Sequence, residues 1–550
     1  MRLTNLQPAP HLLLRVARFS YAAGALAALS PAYALTAAQC TALTSLSVPA
    51  TTITSASVVP AAGTLPEHCR VRGRVDAEIN FELGLPTTTW NGKFYHQGGG
   101  GFVGSIQGNG AGLARNYASV ATDTGHTGAG VAALDGSWAL NRLDRQVNFG
   151  HRGIHVVTVA AKQITALAYG SAPRYSYFEG CSNGGRQALQ EAQRYPNDFD
   201  GIVSAAPALD WTGLMIGFNW NQKALRAAPI PPAKLTLIAN AAVRRCDAQD
   251  GLADGLIDNP LKCDFDPASL QCSGADAPNC LTAAQVGAVK KVYAGPSNSR
   301  GKQLHPGFPP GAEGGDTPGA GAGSGWQTWI SGPSLNLPPV NGNPLQFTFS
   351  DHYLRYFVFS DPAYDPIASF DFDRDPRALR ATGKFINAQN TDLSAFRKAG
   401  GKLLLWHGWA DHALMAERTI EYYNDVVERT GSRKKADRFT RLYLAPGMHH
   451  CSGGPGPNVF DMLTPLEKWV EQGVEPGPVV ATKYAGNNVA AGVVERTRPL
   501  CQYPKVVRHL GGSIDVAANF ECRKPKHGGD DDHDDHENED DGDDHDDHGD

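Results

Sequence analysis

The 550-residue chain has no Cys-x-x-Cys pair, no basic run interleaved with aromatics, and after its first thirty residues no long apolar stretch. The missing Cys-x-x-Cys argues against a thiol redox centre or a cysteine-ligated metal. Without a basic, aromatic-rich patch there is no footprint for nucleic acid. Without a further apolar run nothing else could span a bilayer, so no membrane partner is expected. Charged residues are modest at 19% and methionine is scarce at 5. The formal charge of -6 is misleading, because 14 of the 55 acidic residues lie in residues 530–550, which hold no Lys or Arg. The rest carries 41 acidic against 49 basic residues, too mild an excess to imply a polyanionic partner.

What is present points to an exported enzyme. Arg15 and Arg18 precede an apolar run from Tyr21 to Leu29, and Ala32-Tyr33-Ala34 offers a cleavage site, so residues 1–34 read as a signal peptide. The expected location is secreted or periplasmic. Ten cysteines follow, an even number that fits five disulfides in an oxidising compartment. Nearness in sequence suggests Cys40–Cys69, Cys246–Cys263, Cys272–Cys280 and Cys501–Cys522, which leaves Cys181 and Cys451.

Strand-like segments at Lys93–His96, 118–123, Tyr175–Phe178, Gly201–Ala205, Lys402–His407 and Leu442–Ala445 alternate with helical periodicity at 153–168 and from Gly185 to Tyr195. That alternation predicts an α/β fold around a mainly parallel sheet. Residues 35–208 and 391–525 are expected to form the catalytic domain. Between them, residues 209–390 are rich in Gly, Pro, Asp and aromatics without regular alternation, and read as an inserted lid. The Asp/His tail, residues 526–550, has no apolar residue with which to build a core and is expected to be disordered.

Gly180-Cys181-Ser182-Asn183-Gly184 is G-x-S-x-G between a predicted strand and a predicted helix, the setting of a nucleophile elbow. A serine nucleophile needs a base and an orienting carboxylate, in the chain order Ser, acid, His, each just past a strand end. Asp411 follows the strand at 402–407, with His407 and His412 read as strand-end or surface residues. His449 and His450 both follow the last strand. If Cys181 bonds Cys451, their Cα atoms lie about 4.4–6.8 Å apart, and the neighbours Ser182 and His450 are clamped together. His450 is therefore the expected base. Oxyanion donors are expected from the Asn183 amide and from the glycine loop Gly98–Gly101.

These residues resemble the tannase and feruloyl esterase family. Gly180-Cys181-Ser182-Asn183-Gly184-Gly185-Arg186 and His450-Cys451-Ser452-Gly453-Gly454-Pro455-Gly456 carry the likeness, with Trp90-Asn91-Gly92, Ala121-Thr122-Asp123, Gly125-His126 and Arg496-Thr497-Arg498-Pro499-Leu500-Cys501. The resemblance covers roughly residues 40–522. It implies an α/β-hydrolase core, Gly101 as the second oxyanion donor, the five disulfides above, and an acyl-enzyme esterase acting on small aromatic or phenolic esters. It also implies a structural calcium in the inserted segment, held by Asp247, Asp250 and Asp254 with the carbonyls of Leu252 and Leu256, a hard oxygen set suited to Ca²⁺. Trp326, Trp329, Tyr353, Tyr356 and Phe357 are candidates for an aromatic slot. A terephthalate monoester hydrolase is the alternative. In that subgroup a lid arginine holds the free carboxylate, where this chain places His352 with Arg355 nearby. An inactive hydrolase used as a binding module is the third reading.

Overall fold

A computed structural model describes residues 34–314 and 325–525. The predicted leader up to residue 33, the Asp/His tail and residues 315–324 of the small-residue stretch lie outside it. The central sheet contains β1 (Thr51–Val59), β2 (His68–Val75), β3 (Ile79–Pro86), β4 (Lys93–Gln97), β5 (Ala118–Thr122), β6 (Tyr175–Cys181), β7 (Gly201–Ala205), β8 (Lys402–Gly408) and β9 (Thr440–Ala445). Their order is β1-β2-β3-β5-β4-β6-β7-β8-β9. From β5 to β9 all neighbours are parallel, whereas β1, β2, β3 and β5 pair antiparallel. The expected parallel core is there. The antiparallel β1–β2 extension was not anticipated, and β5 separates β3 from β4 although β4 follows β3 in the chain.

The parallel strands are short and mostly buried because helices cover both faces of the sheet. Phe178, Ile202, Leu403 and Leu405 pack with Ile154, Val157, Leu189 and Ile420, from the helices Gly153–Tyr169, Asn183–Arg194 and Ala416–Thr430. The alternate residues Tyr177, Val203 and Leu404 face the other way, against Leu466 and Trp469 of the helix Leu463–Gln472. The period of two along each strand sorts the core into two layers.

Between β7 and β8 the chain adds no strand to this sheet among the described residues. It forms the helices Trp211–Ala227, Pro232–Cys246, Ala283–Ala294 and Leu345–His352, more regular than its composition suggested. Their start signals are conventional: Asp210 accepts from the Gly213 amide, Pro232 opens the second helix, and Thr282 with Gln285 makes a capping box. Among the described residues this segment has no separate core of its own. Phe218, Ile238, Val289 and Phe349 share one apolar cluster with Phe102, Trp138, Phe149 and Ala413–Met415 of the sheet's loops. All five disulfides are formed as paired above, among the ten cysteines.

Candidate active site

Three residues leave the C-terminal ends of parallel strands on one side of the sheet, β6, β8 and β9, where open α/β sheets place their ligands. Ser182 directly follows β6, Asp411 follows β8 by three positions, and His450 follows β9 by five. Ser182 has φ 65° and ψ -123°, a backbone state that L-residues avoid and that a tight strand-to-helix turn imposes. The turn closes only because its glycines lack Cβ atoms. A Cβ on Gly180 would lie 2.6 Å from the Gly184 carbonyl carbon, and one on Gly185 would lie 2.3 Å from the Ala205 oxygen.

Cys181 and Cys451 are bonded with Cα atoms 6.0 Å apart, across a sequence separation of 270. The bridge fastens the elbow to the loop that carries His450. His450 Nδ1 lies 2.8 Å from Asp411 Oδ2. Asp411 Oδ1 accepts from the amides of Ala413 and Leu414 at 2.8 and 2.9 Å, so the carboxylate is fixed at both ends. Burial alone would raise this carboxyl, but the His450 and His407 imidazoles outweigh it and hold it well below the usual carboxylate range. His449 is directed elsewhere. It is buried, and burial pushes it down to about 4.

The glycine loop after β4 meets the elbow. Gly101 has φ 57°, and a Cβ there would lie 2.1 Å from the Ala133 oxygen. The Asn183 side chain is buried and donates from Nδ2 to the Gly99 carbonyl at 2.9 Å, while Gln187 Oε1 accepts from the Gly99 amide at 2.9 Å. Arg186 Nε donates to Asn183 Oδ1 at 2.8 Å, and its other nitrogens donate to the carbonyls of Phe149, Gly150 and Ile386. These two braces sit one helical turn after Asn183, a spacing that was visible but unused.

Of the aromatic candidates, Trp329 is half-buried and meets the His450 ring edge-on at 5.3 Å, stacking at 6.0 Å on Phe349. Trp326, Tyr353 and Phe357 are buried core residues, which removes them as slot walls. His352 lies one turn after Phe349 on the same helix. Its Nδ1 accepts from the Gly136 amide at 2.9 Å and stands 3.5 Å from Asp135 Oδ1. Tyr356 packs on His352 at 5.3 Å, and Arg355 is paired with Asp351 at 2.8 Å. His407 and His412 are both buried, which corrects the surface reading.

In the 247–256 loop, burial and then Asp254 hold Asp250 above the usual carboxylate range, and the unpredicted Asp258, two residues past the loop, is held above it by burial and then by Asp250 and Asp254. Arg498 pairs with Asp254, leaving carboxylate charge in excess. Asp247 accepts from the amides of Asp254 and Gly255 at 3.0–3.1 Å. Crowded carboxylates that resist ionisation are what a hard dication relieves. Among the described residues the close group of metal-type donors is instead His155, Glu191 and Asp198, where the Lys162 ammonium donates to the Asp198 backbone carbonyl.

The sheet order and the strained serine after β6 define an α/β-hydrolase. The model of the family "Tannase and feruloyl esterase" matches residues 63–523, and the chain belongs to that family. Its members are carboxylic ester hydrolases, and so is this protein. The mono(2-hydroxyethyl) terephthalate hydrolase of Piscinibacter sakaiensis is 38% identical over 86% of this chain and 87% of its own. An uncharacterised esterase of Xanthomonas campestris is 37% identical over 88% and 91%. The crystal structure of feruloyl esterase B from Aspergillus oryzae superposes with a TM-score of 0.77 at 27% identity, covering 88% of this chain and all of that one.

Proposed function

We propose that this protein is an exported serine carboxylesterase that cleaves esters of aromatic or phenolic acids through an acyl-enzyme on Ser182. Ser182 Oγ attacks the ester carbonyl while His450 takes its proton, with Asp411 holding the imidazole. The tetrahedral oxyanion is received by the amides of Asn183 and Gly101. On collapse the ester C–O bond breaks and His450 returns the proton to the leaving alcohol. Water, deprotonated by His450, then attacks the acyl carbon and releases the acid. Residues 209–390 act as the lid, and the half-buried Trp329 offers the aromatic ring an apolar wall beside the base.

The observation that carries this reading is the Cys181–Cys451 bridge. It joins the residue before the nucleophile to the residue after an imidazole already held on a buried carboxylate at 2.8 Å. The test is a hydrolysis panel of ferulate, gallate and terephthalate monoesters with the parent enzyme and Ser182→Ala. Turnover of an aromatic ester, abolished in the variant, is expected. Undiminished turnover by S182A would refute the mechanism.

The 38% identity to a terephthalate monoester hydrolase favours a second reading. His352 and Asp135 weigh against it. Despite burial, Asp135 is held well below the usual range, with the Ala129 and Ser137 amides donating to its carboxylate at 2.8 and 2.9 Å, so it stays anionic near any carboxylate brought to His352. The neutral ester methyl ferulate is therefore expected to give the higher kcat/KM, and the reverse order would favour the terephthalate assignment. A calcium ion in the 247–256 loop, held by Asp247, Asp250, Asp254 and the carbonyls of Leu252 and Leu256, would supply cross-linking of the insertion and no chemistry.

A further inference from the structure

A second imidazole lies on the Asp411 carboxylate, and the reaction written above does not use it. His407 is the sixth residue of β8 and fully buried. Its Nε2 stands 3.2 Å from Asp411 Oδ2, the same oxygen that holds His450, and 3.2 Å from the Leu414 carbonyl. Its Nδ1 is 2.8 Å from the Thr419 hydroxyl, in the helix Ala416–Thr430. Two acceptors face Nε2, so that nitrogen carries the proton, and Nδ1 accepts from Thr419. The ring therefore ties the strand end, the acid-bearing loop and the following helix together through one fixed tautomer.

We propose that His407 is a positioning residue for the triad, whose Nε2–H fixes the orientation of the Asp411 carboxylate and shares its Oδ2 with His450. This rests on the triad assignment made above. Two effects follow. Without His407 the carboxylate keeps its amide contacts at Oδ1 but loses one of the two donors at Oδ2, so the His450 ring is held less firmly. The carboxylate also becomes a stronger acceptor, because a hydrogen bond that drew on its charge is gone. Its pull on a protonated His450 grows, so deprotonating the base requires higher pH. Among the described residues, the other ionisable groups facing this pair are His412 and His449, whose rings meet at 5.0 Å, and behind His449 the Lys483 ammonium. All of them are present in both parent and variant, and so do not produce the difference.

The experiment compares full-length parent, His407→Leu and His407→Gln on a p-nitrophenyl ester, with kcat expressed per active serine titrated to completion by a fluorophosphonate. Leucine fills similar volume but has no donor, whereas the glutamine amide reaches the place of Nε2. We expect H407L to lose about 10- to 100-fold in kcat with KM within about two-fold. Its acid limb should move upward by about half a pH unit. H407Q should regain most of both. The proposal is overturned if H407L matches the parent per active serine in rate and acid limb, or if H407Q is as impaired as H407L. Ser182→Ala runs alongside. Persistent turnover there would defeat the triad assignment itself, whereas an inactive S182A beside a normal H407L would defeat only the role of His407.

Discussion

At the scale of single residues, the site depends on backbone positions that tolerate only one side chain. Gly101 combines a left-handed φ of 57° with a Cβ position 2.1 Å from a carbonyl oxygen. Gly101→Ala must displace either that loop or the Ala133 turn, and with it the proposed oxyanion amide. A loss of about 100-fold in kcat is expected with the far-UV spectrum unchanged, the usual cost of one oxyanion donor. Retained kcat would move the second donor elsewhere in the glycine loop. The choice between His449 and His450 is also made at this scale. Only His450 reaches Asp411, because its covalent neighbour Cys451 is tied to the elbow.

At the scale of elements, the sheet delivers its loops to one edge, and cross-links then fix those loops to each other. The Cys181–Cys451 bond spans 270 residues, so its loss frees a very large loop in the unfolded chain, worth on the order of 5–6 kcal/mol in the loop-closure model. Cys181→Ala with Cys451→Ala should lower the thermal midpoint by several degrees. It should also cut kcat more than KM, since the loop carrying His450 is no longer pinned to β6. An unchanged midpoint and rate would show that packing alone holds that loop. The 247–256 loop makes a parallel case. If calcium neutralises its carboxylates, EGTA should lower the thermal midpoint, and D250N should abolish that response while the parent regains its midpoint on adding Ca²⁺.

At the scale of the whole molecule, buried histidines set the acid stability. Burial holds His96 and His126 down to about 3, against an ordinary value near 6.5. Because the folded state binds these protons less readily than the unfolded chain, stability is complete above about pH 6.5 and falls as pH drops towards 3. At pH 5 the loss is about 2 kcal/mol for each of the two rings. Denaturant midpoints measured between pH 7 and 5 should decline accordingly, and His96→Gln should flatten the slope by nearly one proton. A parent whose midpoint is level over that range would contradict the burial argument. The insertion contributes at this scale as well. Its helices share a core with Phe102, Phe149 and Ala413–Met415, so proteolytic removal of residues 209–390 should unfold the remainder rather than release an intact sheet domain.

What could be read from the chain alone was whatever is written locally. The elbow is such a case, since its glycines, serine and following helix are consecutive. Asp411 and His450 were legible because each follows an apolar run at short distance and because one histidine has a cysteine beside it. Sheet order was not legible. The insertion of β5 between β3 and β4 and the antiparallel β1–β2 pair depend on hydrogen bonds between distant segments that leave little trace in composition. The same holds for burial. Trp326 and Trp329 are three residues apart, yet one is sealed in the core and the other lies against His450. His407 was taken as a strand-end residue, and only the approach of the loop after β8 and the helix Ala416–Thr430 turned it onto the carboxylate. Sequence determined which groups are available for chemistry and where each strand ends. Tertiary structure decided which groups meet, because that depends on how far apart two strands lie in the sheet and not on how far apart they lie in the chain.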